Sequence, residues 1–92
     1  MLFSEDELAV LESALGAYLE GSASISEYNA DKEAERLTGK IRSYSPLTFI
    51  TSAEKKVVLD SVESMRKSLE LAFNAKDPQL ESLRQKLFKL FS

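Results

Sequence analysis

Apolar side chains recur along this chain at spacings of three and four residues, which is the period of an amphipathic α-helix. Segments with this period are separated by short breaks that contain Gly, Ser or Pro. The pattern predicts an all-α fold, an up-and-down four-helix bundle built from two helical hairpins. The four helices are expected at about residues 5–20, 29–44, 52–75 and 78–91.

The 92 residues are expected to form a single helical domain. Hairpin one covers residues 1–44, a connector covers 45–51, and hairpin two covers 52–92. Pro46 ends the second helix, because the residue before a proline avoids the α conformation. Since the connector joins two similar hairpins, packing within one chain and exchange between two chains both remain open.

The first helix has a well-defined start. Ser4 and Glu7 have the spacing of a capping box, in which each side chain accepts a hydrogen bond from the backbone of the other. Phe3 and Leu8 occupy the positions of a hydrophobic staple. Gly21 is expected to stop this helix.

The other helices have starting signals of unequal strength. Thr51 and Glu54 form a second capping-box pattern, and Asp77-Pro78 places an N-cap residue before a proline at the first helical position. The start of the second helix stays open, because either Ser24 or Asn29 could cap it.

Each predicted helix carries an apolar stripe that is expected to face the core. Gly39 weakens the narrow stripe of the second helix. Leu47, Phe49 and Ile50 are too apolar for a fully solvated loop, so part of the connector is expected to lie across the core. The stripes are Leu8, Leu11, Leu15, Tyr18 and Leu19; Ala30, Ala34, Leu37, Ile41 and Tyr44; Val58, Val62, Met65, Leu69, Ala72 and Phe73; and Leu80, Leu83, Leu87, Leu90 and Phe91.

The third helix has more small and apolar surface than a single core stripe needs. A line of small residues between two apolar ones could let a second helix backbone approach closely. It could equally be a solvated serine face, since isolated exposed apolar residues are common. Together with the edge of the fourth helix, this line is the candidate interaction surface: Val57, Ser61, Ser64, Ser68, Leu71 and Phe88.

The two hairpins resemble each other in sequence but differ in charge. Residues 10–14 (VLESA) recur as residues 58–62 (VLDSV), a match that either duplication or the common grammar of amphipathic helices would produce. Residues 1–44 have a net charge of −5 and residues 45–92 a net charge of +2. Residues 1–31 contain seven acids and no base. The acidic first helix is therefore expected to face basic surface from the third and fourth helices, in the same chain or in a partner.

The composition is unfavourable for catalysis. The chain has no Cys and no His, which removes disulfides, thiolate sites and the commonest general base and metal ligand. Residues 64–67 match Ser-x-x-Lys, but they belong to the middle of a helix surface. The acids of residues 5–7 already suit the first turn of a helix. We expect no enzyme activity, no catalytic residue, no metal site and no cofactor.

Two alternative binding modes remain. Basic residues around the connector could bind nucleic acid or a phosphate-containing ligand, although the net charge of −3 makes nucleic acid unlikely as a partner. The C-terminal helix is basic and amphipathic, as in peptides that lie on membranes, yet it is needed for the core. The basic residues in question are Lys40, Arg42, Lys55 and Lys56.

The function predicted from the sequence is a small, non-catalytic protein–protein interaction or regulatory module. It is expected to self-associate through its third and fourth helices, as a homodimer, or to bind another protein. No segment resembles a targeting or membrane-spanning sequence, so a cytoplasmic protein is expected.

Overall fold

The computed structural model confirms the all-α, four-helix prediction. It describes residues 3–21, 27–45, 47–74 and 76–91. Those residues contain no β-strand. The helices are α1 (Glu5–Glu20), α2 (Glu27–Arg42), α3 (Ser52–Phe73) and α4 (Pro78–Phe91).

The capping signals read from the sequence at Ser4, Thr51 and Asp77 are present in the structure. In α1 the Ser4 hydroxyl accepts from the Glu7 amide at 3.1 Å, and the Glu7 carboxylate accepts from the Ser4 amide at 2.9 Å. Thr51 and Glu54 make the same reciprocal pair at the start of α3, at 3.0 and 2.9 Å. Asp77 accepts from the backbone of α4. These contacts satisfy amides that a helix start would otherwise leave unpaired.

Helix α2 and the end of α3 differ from the sequence prediction. Helix α2 begins and ends two residues earlier than expected, so Asn29 lies inside the helix and is not its N-cap. The other candidate cap, Ser24, lies outside the described residues. Helix α3 ends at Phe73 because Asn74 adopts the left-handed conformation, with φ of 48°, and donates its amide to Glu70. Gly21 follows α1 in a right-handed conformation, so this stop does not use the freedom of glycine.

Helix α1 is the centre of the arrangement, since it contacts each of the other three helices. Helices α3 and α4 form the second hairpin, and both α2 and α3 pack extensively on α1. Phe3 and Leu8 are both buried, as the staple predicts. The buried core includes Phe3, Leu8, Leu11, Leu15, Ala34, Leu37, Ile41, Val58, Val62, Leu80, Leu83 and Leu87.

Contacts between α3 and α4 fix how the two helices are aligned. Arg84 donates to Glu63 at 2.9 Å, and the Lys55 ammonium lies 5.9 Å from the centre of the Phe91 ring. In an antiparallel pair these contacts place the start of α4 about level with Leu69. The last turn of α3 therefore extends past the start of α4.

This overhang corrects the predicted core stripe of α3. Ala72 and Phe73 were expected to be buried, but both are exposed, Phe73 by 73%. The 22 residues of α3 span about 33 Å, whereas the 14 residues of α4 span only about 21 Å. The apolar period continues to Phe73, but no neighbouring helix reaches far enough to cover it.

The sequence match between the hairpins is only partly a structural one. A second match, at a distance of 46 positions, relates Leu37 and Ile41 of α2 to Leu83 and Leu87 of α4, and all four side chains are buried. The match between 10–14 and 58–62 does not place equivalent residues in equivalent surroundings, because Ser13 is exposed and Ser61 is buried. The structure therefore favours convergence of helix patterns for that segment.

Candidate interaction surface

A shallow groove runs between the second half of α1 and the second half of α3. It has a volume of about 380 Å³, and it adjoins a recess of about 240 Å³ that extends inward to Ala14, Ala17 and Met65. Small side chains on both helices leave this space unfilled. The groove is lined by Tyr18, Asp60, Glu63, Ser64, Lys67, Ser68 and Leu71.

The residues predicted to form an interaction surface on α3 separate into an inner and an outer group. Ser61 is 1% exposed and its hydroxyl donates to the Val58 carbonyl at 2.7 Å, so it belongs to the contact with α1. Val57 is half-buried and packs against the core. Ser64, Ser68 and Leu71 are exposed along the groove. The close approach expected for a small-residue line is thus made, at its inner end, by α1 of the same chain.

Leu71 and Phe88 are the large apolar members of the predicted surface. Leu71 is 89% exposed at the outer end of the groove. Phe88 on α4 is half-exposed, and the Arg84 guanidinium lies over its ring at 5.2 Å. Arg84 also donates to Glu63, which lines the groove, so Phe88 is linked to the edge of the same region.

An ion-pair network closes the seam between α3 and α4. Arg66 pairs with Glu63 and with Glu70, the latter at 3.1 Å, while Glu63 also accepts from Arg84. Hydrogen bonding from Arg66, together with the charge of Arg84, lowers the pKa of Glu63. The network gives ion-pair partners to the charged side chains on one flank of α3.

The side of α3 next to this network carries charges without such partners. Within the described part of the chain, no ion pair joins Asp60 or Lys67 to another residue. Both side chains line the groove, on either side of Ser64. The sequence does not distinguish these two residues from the members of the network, because the pairing of Glu63 with Arg84 depends on the position of α4.

Half of the predicted basic cluster around the connector is neutralised inside the chain. Lys40 donates to both carboxylate oxygens of Glu54, at 2.9 and 3.1 Å. Arg42 donates to Glu5 at 2.7 and 3.0 Å. Lys55 lies over Phe91, as described above, and Lys56 is exposed on α3. Two of the four bases are therefore held by carboxylates.

The acidic helix α1 meets basic residues from two other helices. Lys86 of α4 donates to the buried Glu7 at 2.8 Å, and Arg42 of α2 donates to Glu5. Burial alone would raise the pKa of Glu7, but hydrogen bonds from Lys86 and Ser4 outweigh it and lower the pKa. The expected contribution from α4 is present, but among the described residues no ion pair joins α1 to a base of α3, and α2 supplies the second base instead.

Part of the connector was expected to lie across the core, and two of its three large apolar side chains are exposed instead. Leu47 is 94% exposed and Phe49 is also exposed, whereas Ile50 packs against the core as expected. All three side chains are apolar, so the sequence alone does not distinguish the exposed Leu47 and Phe49 from Ile50. Leu47 lies near the start of α3 and Leu71 near its end, so the two exposed leucines are at opposite ends of the bundle.

No cluster of three or more metal-ligating carboxylates occurs among the described residues. Among the described helices, none has both the length and the apolar character that a membrane span requires. Comparison with known protein families, with curated protein sequences and with solved structures finds no match for this chain.

Proposed function

We propose that this protein is a small, non-catalytic protein–protein interaction module that binds through the outer side of α3 and the adjoining edge of α4. The observation that carries the proposal is the 89% exposure of Leu71 beside exposed serines and an open groove. Covering a leucine or phenylalanine side chain contributes about 1.5–3 kcal/mol to association. Leu71 and the half-exposed Phe88 are the side chains that would supply this energy.

The character of the surface suits a protein partner. The groove combines small, polar and apolar side chains, and its α4 flank is a paired ion network that keeps Glu63 and Arg84 in place. Charges at the edge of an interface contribute more to the rate and specificity of association than to affinity. Nucleic acid is less well supported, because Lys40 and Arg42 are paired with carboxylates.

A second copy of the chain, giving a homodimer, is the first partner to test. Purified protein would be studied by sedimentation velocity at micromolar concentration, with Leu71→Asp as the disruptive variant. Leu47→Asp is the matched control, since Leu47 is equally exposed but lies at the other end of the bundle. Both substitutions affect exposed side chains, so circular dichroism should show both variants folded.

Loss of association in Leu71→Asp but not in Leu47→Asp is the expected result. If the wild-type protein is monomeric, the same pair of variants is compared for retention of a protein partner captured from cell extract. Equal behaviour of the two variants in both assays would remove the proposal. Binding of RNA or DNA at low salt that is lost in a Lys55→Glu and Lys56→Glu double variant would instead support the alternative ligand.

A further inference from the structure

We infer that the partner for α3 is a second copy of α3, packed antiparallel about a two-fold axis that passes beside Ser64. This inference rests on the proposed function and names its partner and register. It starts from the outer α3 face, which we define as five residues spaced alternately by three and four: Val57, Asp60, Ser64, Lys67 and Leu71.

The outer α3 face is a second helical stripe, separate from the core stripe. At about 100° per residue its five positions lie within about 80° of the helix circumference. Three of its members, Ser64, Lys67 and Leu71, are exposed, and the groove beside them is open. Spacings of three and four are those with which one helix contacts another along its length. Val57 packs partly against the core, but nothing in the described chain covers Ser64, Lys67 or Leu71.

When two copies of the outer α3 face are packed antiparallel, the residue types of one copy complement those of the other. From Ser64, Val57 lies seven positions back and Leu71 seven positions on, so both are about 10.5 Å away along the axis. An antiparallel copy turned about Ser64 therefore places Val57 level with Leu71 of the second copy. The apolar ends of the stripe would cover each other, and Leu71 of both copies would be buried in the dimer.

The same register also pairs the charges that have no partner within the chain. Asp60 lies about 6 Å from Ser64 along the axis and Lys67 about 4.5 Å from it in the other direction. In the antiparallel pair, Asp60 of one copy comes within about 1.5 Å of the axial level of Lys67 of the other. Each dimer would contain two such ion pairs, one on each side of the two-fold axis.

A parallel arrangement would not satisfy these charges. Two parallel helices related by a two-fold axis bring each residue opposite its own copy, so Asp60 would face Asp60 and Lys67 would face Lys67. Like charges across an interface disfavour that arrangement. At the centre, Ser64 is small enough to let the two backbones approach.

Charge reversal tests the register on the full chain. In Asp60→Lys the two copies would present lysine to lysine, and in Lys67→Asp they would present aspartate to aspartate. Each single variant should self-associate about tenfold or more weakly than the wild-type protein. Because neither side chain has an ion-pair partner within the described chain, circular dichroism should show both variants as stable as the wild type.

The decisive measurement is an equimolar mixture of the two single variants. Asp60→Lys chains and Lys67→Asp chains are complementary to each other, so native mass spectrometry and sedimentation should show a heterodimer with affinity restored to the wild-type range. The double variant Asp60→Lys with Lys67→Asp should recover self-association. Failure of the mixture to associate would overturn the inference.

A cysteine crosslink tests the position of the axis, since the chain has no cysteine of its own. Ser64→Cys should form a disulfide-linked dimer under mild oxidation. Ser52→Cys is the control on the same helix, because its two copies would be about 36 Å apart along the axis. Equal crosslinking of the two variants would overturn the register. A monomeric wild-type protein whose partner capture still depends on Leu71 would overturn the second-copy inference while leaving the proposed interaction function standing.

Discussion

Replacement of Glu54 by glutamine tests the electrostatic link between the two hairpins. The Glu54 carboxylate caps α3 through the Thr51 amide and also pairs with Lys40 at 2.9 Å and Arg36 at 2.8 Å, both on α2. Glutamine can still accept the capping hydrogen bond from the backbone. Glu54→Gln therefore removes the charge while it keeps the shape and the cap.

The size of the effect follows from the pKa of Glu54. The backbone hydrogen bond from Thr51 and the bond from Lys40 lower this pKa from 4.5 to about 2. At about 1.36 kcal/mol for each pKa unit, this difference corresponds to about 3 kcal/mol of folding free energy. The folded state holds the proton less tightly than the unfolded state, so this stability is fully present above pH 4.5 and is lost as the pH falls towards about 2.

Urea unfolding of the wild type and of Glu54→Gln, from pH 7 down to pH 2 at constant ionic strength, measures this contribution. At pH 7 the variant should be less stable by up to about 3 kcal/mol, and the gap should close between about pH 4.5 and pH 2. The pKa values of Glu7 and Glu63 are also lowered, but both residues are present in each protein and cancel in the difference. A gap that stays constant over this pH range would refute the assigned role of the Glu54 charge.

Two further predictions concern the core and the end of α3. Leu83→Ala should lower the free energy of unfolding by about 2–5 kcal/mol, because Leu83 is completely buried, whereas Leu47→Ala should change it by less than about 0.5 kcal/mol. Asn74→Ala should cost about 1 kcal/mol because Asn74 has a φ of 48°, and Asn74→Gly should cost nothing. Thermal unfolding followed by circular dichroism tests both pairs of variants. Equal melting temperatures for the two variants of a pair would contradict the prediction for that pair.

The sequence predicts best those features that depend on a few neighbouring residues. The capping boxes at Ser4 and Thr51 and the Asp77-Pro78 start involve contacts over two or three positions, and all of them are present. The start of α2 was left open because its two candidate caps both fit the local pattern. The exposure of Phe73 was missed because it depends on where α4 begins relative to α3, which is a tertiary property.

In the candidate surface, too, the helical period was predictable from the sequence, whereas the tertiary surroundings of each residue were not. The helical period placed Ser61, Ser64 and Ser68 on one side of α3, but only the packing of α1 decides that Ser61 is buried and the other two are exposed. The basic cluster was assembled from residues near the connector. Lys40 and Arg42 belong to it in sequence, yet in space each lies beside a carboxylate of another helix.

The opposite charges of the two halves of the chain therefore fall into two groups, those that pair within the molecule and those that do not. Within the molecule, Lys86 forms an ion pair with Glu7, and Arg42 forms one with Glu5. The ion network of α3 and α4 pairs the charges on one flank of α3, within hairpin two alone. What remains on the outer α3 face is one acid and one base on either side of Ser64, without an intrachain partner in the described residues. Asp60 and Lys67 are two helical turns apart, which is too far for them to pair with each other along a straight helix. In two antiparallel copies, each of them can pair with its opposite charge on the other copy. The same geometry that leaves Leu71 exposed in one chain thus favours a partner of the same sequence.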